Sequence, residues 1–154
     1  MVKPIPDGFH NVTPSLTVRG ADRAIAFYRR AFGAEERMRL ASTDGTRIMH
    51  AELQIGDSIV MLSDEFPEMG ARSPEALGGT PGSLVLDVDD VDRVFARAVE
   101  AGGVAQVPVQ DLFWGDRFGS LVDPFGHVWG IATHKEDLTP AQIGERAKRQ
   151  GGRG

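Results

Sequence analysis

Apolar and polar positions follow one order of patterns, and that order occurs twice along the chain. The letters VTPSLTV alternate as in a half-buried strand, with Val12, Leu16 and Val18 on the apolar face. Apolar residues then recur at helical spacing through ADRAIAFYRRAF, and Gly33 stands where such a helix would end. Three more strands are predicted over 35–41, 47–55 and 58–63. This stretch therefore predicts a β-α-β-β-β module.

The second half of the chain repeats this order. SLVLDV predicts a strand, Asp89 a helix N-cap, and VDRVFARAV the buried stripe of a helix. VAQVPV and a hairpin closed by a DPFG turn complete the series. Gly33 and Gly103, and likewise the turn glycines Gly56 and Gly126, are 70 residues apart. We therefore predict an internal duplication.

The predicted organisation is one α+β unit built from two modules. The first module spans residues 1–63 and the second spans 83–134. Residues 64–82 are rich in proline, glycine and glutamate, and predict a linking loop, which either only connects the modules or covers a pocket. Residues 135–154 predict a helical tail that begins at Thr139-Pro140.

Composition narrows the functional classes. A chain of 154 residues with 41% hydrophobic and 25% charged residues fits one globular domain. The net charge of −5 argues against nucleic-acid binding, and no apolar run is long enough to span a bilayer. The chain has no cysteine and its first residues lack the apolar segment of a secretory signal. We therefore expect a cytoplasmic protein with no nucleic-acid or membrane partner.

Three segments resemble the vicinal oxygen chelate superfamily, which includes glyoxalase I, bleomycin-resistance proteins and extradiol dioxygenases. They are VTPSLTVRGADRAIAFYRRAFGAEE, HAELQIGDSIVMLSDE and FWGDRFGSLVDPFGHVWGIATHKED, and they are most similar to its PhnB-like glyoxalase/bleomycin-resistance subgroup. The resemblance covers residues 12–137 and implies the glyoxalase/bleomycin-resistance fold. In that fold, two curled half-barrel sheets with outer helices enclose a cavity, often in a homodimer.

The resemblance also implies where a metal would bind. Metal enzymes of this superfamily carry a His, Glu or Gln ligand on the first and last strands of each module. The matching positions here are Thr13, Ser83 and Gly130, with Val60 or Met61 in the first module. None of these provides an imidazole or a carboxylate. We therefore expect no cofactor at the usual family site, which disfavours glyoxalase-type isomerisation and ring-cleaving dioxygenation.

His50 and Glu52 are a second candidate site. They share one face of the strand over 47–55, because side chains alternate, and the two-residue turn after it would pair Leu53 with Val60 and Glu52 with Met61. The apolar set would pack under the helix, so His50 and Glu52 would face the cavity. Four interpretations of this pair are open. The two residues are part of an ordinary solvated strand face, they contact a polar ligand, they are a base with its orienting carboxylate, or they are two ligands of a relocated divalent metal.

The segment Trp114–Arg117, which we call the tip, is the third candidate. Trp114 offers a stacking surface, and Asp116 and Arg117 offer polar groups, with the guanidinium as a fork for an anion. Alternatively, Trp114 packs in a dimer interface and Asp116 pairs with Arg117. Trp129 is expected in the core, and His134 at the surface near the cavity mouth.

Three functions remain open. The first is a metal-independent binding protein that holds a planar or anionic small molecule between Thr13, Ser83, Met61 and the tip. The second is a lyase, isomerase or dioxygenase that uses His50 and Glu52. The third is a non-catalytic partner or regulatory module with a filled cavity. We expect a homodimer in each case, and rank the functions in this order.

Overall fold

Each predicted module folds into one four-stranded sheet with a helix against one face. The computed structural model of the protein describes residues 1–151. The first module contains β1 (Ser15–Val18), α1 (Ala21–Phe32), β2 (Glu35–Ala41), β3 (Ile48–Ile55) and β4 (Ser58–Asp64). After a 3₁₀ turn (Pro67–Met69) and the short helix α2 (Pro74–Leu77), the second contains β5 (Ser83–Asp87), α3 (Val91–Ala101), β6 (Val104–Asp111), β7 (Asp116–Val122) and β8 (Val128–His134). Helix α4 (Pro140–Gly151) follows.

The two sheets have the same topology. Their strand orders are β1-β4-β3-β2 and β5-β8-β7-β6. The first strand of each sheet is parallel to the last, and the other pairs are antiparallel. This confirms the predicted α+β duplication, and the sheets do not close into a barrel. No helix within residues 1–151 is long and apolar enough to cross a membrane.

Helices α1 and α3 pack against each other, so the helix-covered faces of both sheets form one core. Five aromatic rings fill its centre, and Trp129 is buried there as predicted, with its ring 5.4 Å from that of Tyr28. Within residues 1–151, no helix packs on the other face of either sheet. We call these two faces the concave faces.

The DPFG turn of the second module is joined to the first module by a buried carboxylate. Asp123 Oδ2 accepts hydrogen bonds from Tyr28 Oη at 2.5 Å and Trp129 Nε1 at 2.9 Å. Its Oδ1 accepts from two backbone N–H groups of the turn, and His127 Nε2 lies 2.9 Å from the Thr17 carbonyl. Burial, and then the Asp123 charge, raises the pKa of the Tyr28 hydroxyl, which therefore remains a donor.

Two local predictions were wrong. Val12 is exposed because β1 begins only at Ser15, so Val12 lies outside the sheet. The N-cap of α3 is Asp90 and not Asp89, since the Asp90 side chain accepts from Arg93 N at 3.1 Å. The segment 64–82, predicted as a loop, also contains the 3₁₀ turn and the short helix α2. The start of the tail helix agrees with the prediction: α4 begins at Pro140, and the Thr139 side chain accepts a hydrogen bond from Gln142 N.

Candidate functional site

The first concave face carries the predicted pair on β3. His50 Nε2 lies 3.0 Å from Glu52 Oε2, with 36% of the His50 side chain and 18% of the Glu52 side chain exposed. The register confirms the predicted pairing of Leu53 with Val60 and of Glu52 with Met61. Leu53 and Val60 are buried under the helices, so the His50–Glu52 pair faces the open side.

Apolar side chains on the edge strand border this pair. Met38 stands opposite Glu52 and Leu40 opposite His50, and they are 41% and 50% exposed. A half-exposed imidazole that is oriented by a carboxylate is a common arrangement for a general base. Within residues 1–151, no group of three or more His, Cys, Asp or Glu side chains is arranged to hold a metal ion. At the His50–Glu52 pair, one chain therefore offers a metal ion only these two side chains as ligands.

The second concave face has an aromatic ring at its centre. Gly130 stands opposite Ser120 on β7 and Val85 on β5. The Phe118 ring covers Gly130 so closely that a Cβ built on the glycine would lie 2.7 Å from the ring. The resemblance noted in the sequence places a glutamate ligand of the metal enzymes at the position of Gly130. Here the space for that side chain is filled by Phe118.

The remaining family positions do not supply metal ligands either. Met61 lies on the concave face and Val60 in the core, which decides between the two residues that the sequence left open. Thr13 and Ser83 line a cavity of about 260 Å³ at the seam between the modules. Hydroxyl, thioether and glycine positions do not fit a divalent metal, which prefers imidazole or carboxylate ligands.

The tip continues the aromatic surface. The Trp114 ring lies 6.4 Å from that of Phe118, and its Nε1 donates to Asp116 Oδ2 at 3.1 Å. His134 Nδ1 lies 2.8 Å from Asp116 Oδ1, and Nε2 lies 2.7 Å from Asp137 Oδ1. Hydrogen bonds to Asp116, and then to Asp137, raise the pKa of His134. His134 is exposed, as predicted, and also holds the carboxylate that orients Trp114.

Arg117 is separated from this surface. Strand alternation turns it to the helix side, where it donates to Asp92 at 2.8 and 3.0 Å and to Asp111 at 3.2 Å. These hydrogen bonds raise the pKa of Arg117. The predicted anion fork of Trp114 and Arg117 is therefore not formed. Asp116 pairs with His134, so the alternative Asp116–Arg117 pair is not formed either.

Sequence reasoning did not single out Phe118. The available signal was alternation, which places Phe118 and Ser120 on the same face as Asp116, beside a glycine on the neighbouring strand. A glycine inside a strand marks a place where another group approaches closely.

Comparisons with known proteins agree with this fold. Residues 8–131 match the family model described as Glyoxalase/Bleomycin resistance protein/Dioxygenase superfamily. The uncharacterized protein Rv0887c of Mycobacterium tuberculosis is 41% identical over 143 residues, covering 91% of this chain and 84% of that protein.

Solved structures show the same similarity. TioX from Micromonospora sp. ML1 is 29% identical with a TM-score of 0.63, covering 84% of this chain and all of that chain. The fosfomycin resistance protein FosX from Listeria monocytogenes, at 16% identity, shares the fold with a TM-score of 0.64, covering 87% of this chain and 97% of that chain. With the duplicated modules and the family match over most of its length, the chain belongs to the Glyoxalase/Bleomycin resistance protein/Dioxygenase superfamily.

Proposed function

We propose that the protein binds a planar small molecule on its concave faces and does not use the metal position of its superfamily. The observation that carries this proposal is the Phe118 ring lying over Gly130. An aromatic ring at that position replaces a metal ligand with a stacking surface. Trp114 extends this surface, and its indole is held in place by Asp116.

The two concave faces have complementary chemistry. The second face offers Phe118, Trp114 and the exposed side chain of Val85. The first offers the His50–Glu52 pair between apolar neighbours. A largely apolar surface with few polar groups at fixed positions is typical of small-molecule sites. A planar ligand that stacks on one face and hydrogen-bonds to the other would use both.

A homodimer would bring these faces together. Within one chain the modules pack through their helices, so no helix in residues 1–151 covers either concave face. The N-terminal segment at Gly8 lies against Ile59 at one end of the first concave face, and the rest of that face, with the His50–Glu52 pair, is open. The chain exposes 9574 Å², whereas a compact monomer of this mass exposes about 7,600 Å². Exposed apolar residues, among them Met38, Leu40 and Val85, lie on the open faces. We propose that the first concave face of one copy faces the second concave face of another.

The first prediction concerns Phe118→Ala. In an NMR screen of planar aromatic fragments, those that bind should shift the amide signals of Phe118, Ser120 and Gly130. Phe118→Ala should weaken their binding about tenfold, because a stacked ring contributes roughly 1–1.5 kcal/mol. The titration of each fragment into both proteins gives the two dissociation constants.

The matched control is Met69→Ala, which removes an exposed apolar side chain from the linker. It should leave the dissociation constants unchanged. Sedimentation equilibrium on all three proteins, expected to give twice 16.6 kDa, separates a lost dimer from a lost ring contact. Fragments that bind equally well to Phe118→Ala, or that shift only signals elsewhere, would contradict the proposal.

The hydrogen bond between His50 and Glu52 favours a second candidate function, acid–base catalysis. If Nε2 carries the proton shared with Glu52, Nδ1 has a free lone pair and acts as a general base toward a bound molecule. This function uses the same cavity between the two concave faces of the proposed homodimer, and it needs no metal ion.

The second prediction tests that candidate. Any fragment that the protein converts should no longer be converted by His50→Ala, and Glu52→Gln should slow its conversion by 10²-fold or more, on the order of a general base's contribution. Circular dichroism should be unchanged, since both side chains lie outside the core. Conversion at the wild-type rate by either variant would eliminate the pair as catalytic residues.

A further inference from the structure

A groove of about 690 Å³ runs between the turn after β6 and helix α4. Its volume lies in the range of small-molecule sites. It is outside both concave faces and the seam cavity, and α4 lies beyond the residues that match the family model. The six lining residues are Asp111, Leu112, Phe113, Arg146, Arg149 and Gln150. We propose that this groove binds a planar aromatic carboxylate.

The charges in the groove point to an anion. Arg146 donates to Glu136 at 2.6 Å, and Asp111 accepts from Arg117 at 3.2 Å, so these two charges already have partners. Arg149 makes no salt bridge with any carboxylate in residues 1–151. Arg149 is therefore the lining cation that has no salt-bridge partner within residues 1–151, and its guanidinium is a planar fork that matches a carboxylate.

The opposite wall of the groove selects for an aromatic body. Leu112 and Phe113 are half-buried and line the side away from α4. The Phe113 ring lies 5.0 Å from Trp114 in an edge-to-face arrangement. The groove therefore continues the aromatic surface of the tip. A ligand that packs on Phe113 would direct its carboxylate toward Arg149, which lines the other side of the groove.

The test compares 2-naphthoate with 2-naphthamide, which have the same ring system and differ in charge. In ¹⁵N NMR titrations of the full chain, naphthoate should shift signals of residues 111–113 and 146–150 and bind about tenfold more tightly than naphthamide, since a charge-assisted hydrogen bond contributes that much. Arg149→Gln should remove this tenfold advantage without changing naphthamide binding, and Arg149→Lys should restore part of it.

Lys148→Gln is the matched control. Lys148 and Arg149 both lie in the last turn of α4, where a positive charge stabilises the helix end, but only Arg149 lines the groove. Lys148→Gln should leave naphthoate binding unchanged. Equal losses in the two variants, equal binding of naphthoate and naphthamide, or naphthoate binding unaffected by Arg149→Gln would each overturn the proposal.

Phe118→Ala distinguishes this proposal from the proposed function. It should leave naphthoate binding in the groove unchanged, because the Phe118 ring lies over Gly130 on the concave face. Naphthoate binding that is lost in Phe118→Ala and retained in Arg149→Gln would place the compound on the concave face and overturn the groove proposal. Naphthoate bound in the groove, with no fragment bound near Gly130, would support the groove while contradicting the proposed function.

Discussion

Replacing Asp123 by alanine should lower the free energy of unfolding by about 4 kcal/mol, since each buried donor left without an acceptor costs about 1 kcal/mol or more. The carboxylate accepts from Tyr28, Trp129 and two backbone N–H groups, and all four are left unpaired in the variant. Because Asp123 joins helix α1 to the turn of the second module, both modules should lose stability together. Urea denaturation measures the change from the transition midpoint.

Tyr28→Phe is the control for this prediction. It removes one of the four donors and keeps the ring in the core, so the loss should be about 1 kcal/mol. The slope of unfolding free energy against urea concentration should stay constant in both variants, as expected for a single cooperative transition. A loss below 1 kcal/mol for Asp123→Ala would show that the carboxylate does not hold the modules together.

Gly130→Ala should destabilise the protein by about 1 kcal/mol, the lower end of the cost of overfilling a packed site, because the Phe118 ring is only partly buried and can move toward the open face. The backbone of Gly130 does not have a positive φ, so alanine is not strained by its conformation. The cost arises because the new Cβ would lie 2.7 Å from the Phe118 ring, which must move away. Displacing the ring should also weaken the binding of planar fragments on the second concave face.

A double-mutant cycle separates this cause from others. In a Phe118→Ala background the ring is absent, and the nearest contact of the new Cβ is Val85 Cγ2 at 3.5 Å, an ordinary distance. Gly130→Ala should then cost almost nothing, with a coupling energy of about 1 kcal/mol between the two positions. Additive losses would mean that the ring does not occupy the space of the missing side chain.

Much of the fold could be predicted because its signals are local. Alternation fixed which side chains of β3 face the helices, so the pairing of Glu52 with Met61 and the face of His50 followed from a two-residue turn. The spacing of Gly33 and Gly103 indicated the duplication. The difference at Val12 arose because alternation alone does not show where a strand leaves the sheet.

The site was less predictable because its contacts join distant parts of the chain. Arg117 lies next to Asp116 in sequence, but its partner Asp92 comes from α3, 25 residues earlier. Likewise, the Phe118 ring covers a glycine on the neighbouring strand, and Arg149 reaches the groove only because α4 folds back beside the β6–β7 turn. Such contacts depend on packing, which the pattern of a single element does not contain.

Metal content after incubation with Ni²⁺, Zn²⁺, Mn²⁺ and Fe²⁺, measured by mass spectrometry on the desalted protein, tests the central claim most directly. We expect far less than one ion per chain, because the family positions carry Thr13, Met61, Ser83 and a glycine covered by Phe118. One tightly held ion per chain that is lost in His50→Ala would contradict the account and make the His50–Glu52 pair a relocated metal site.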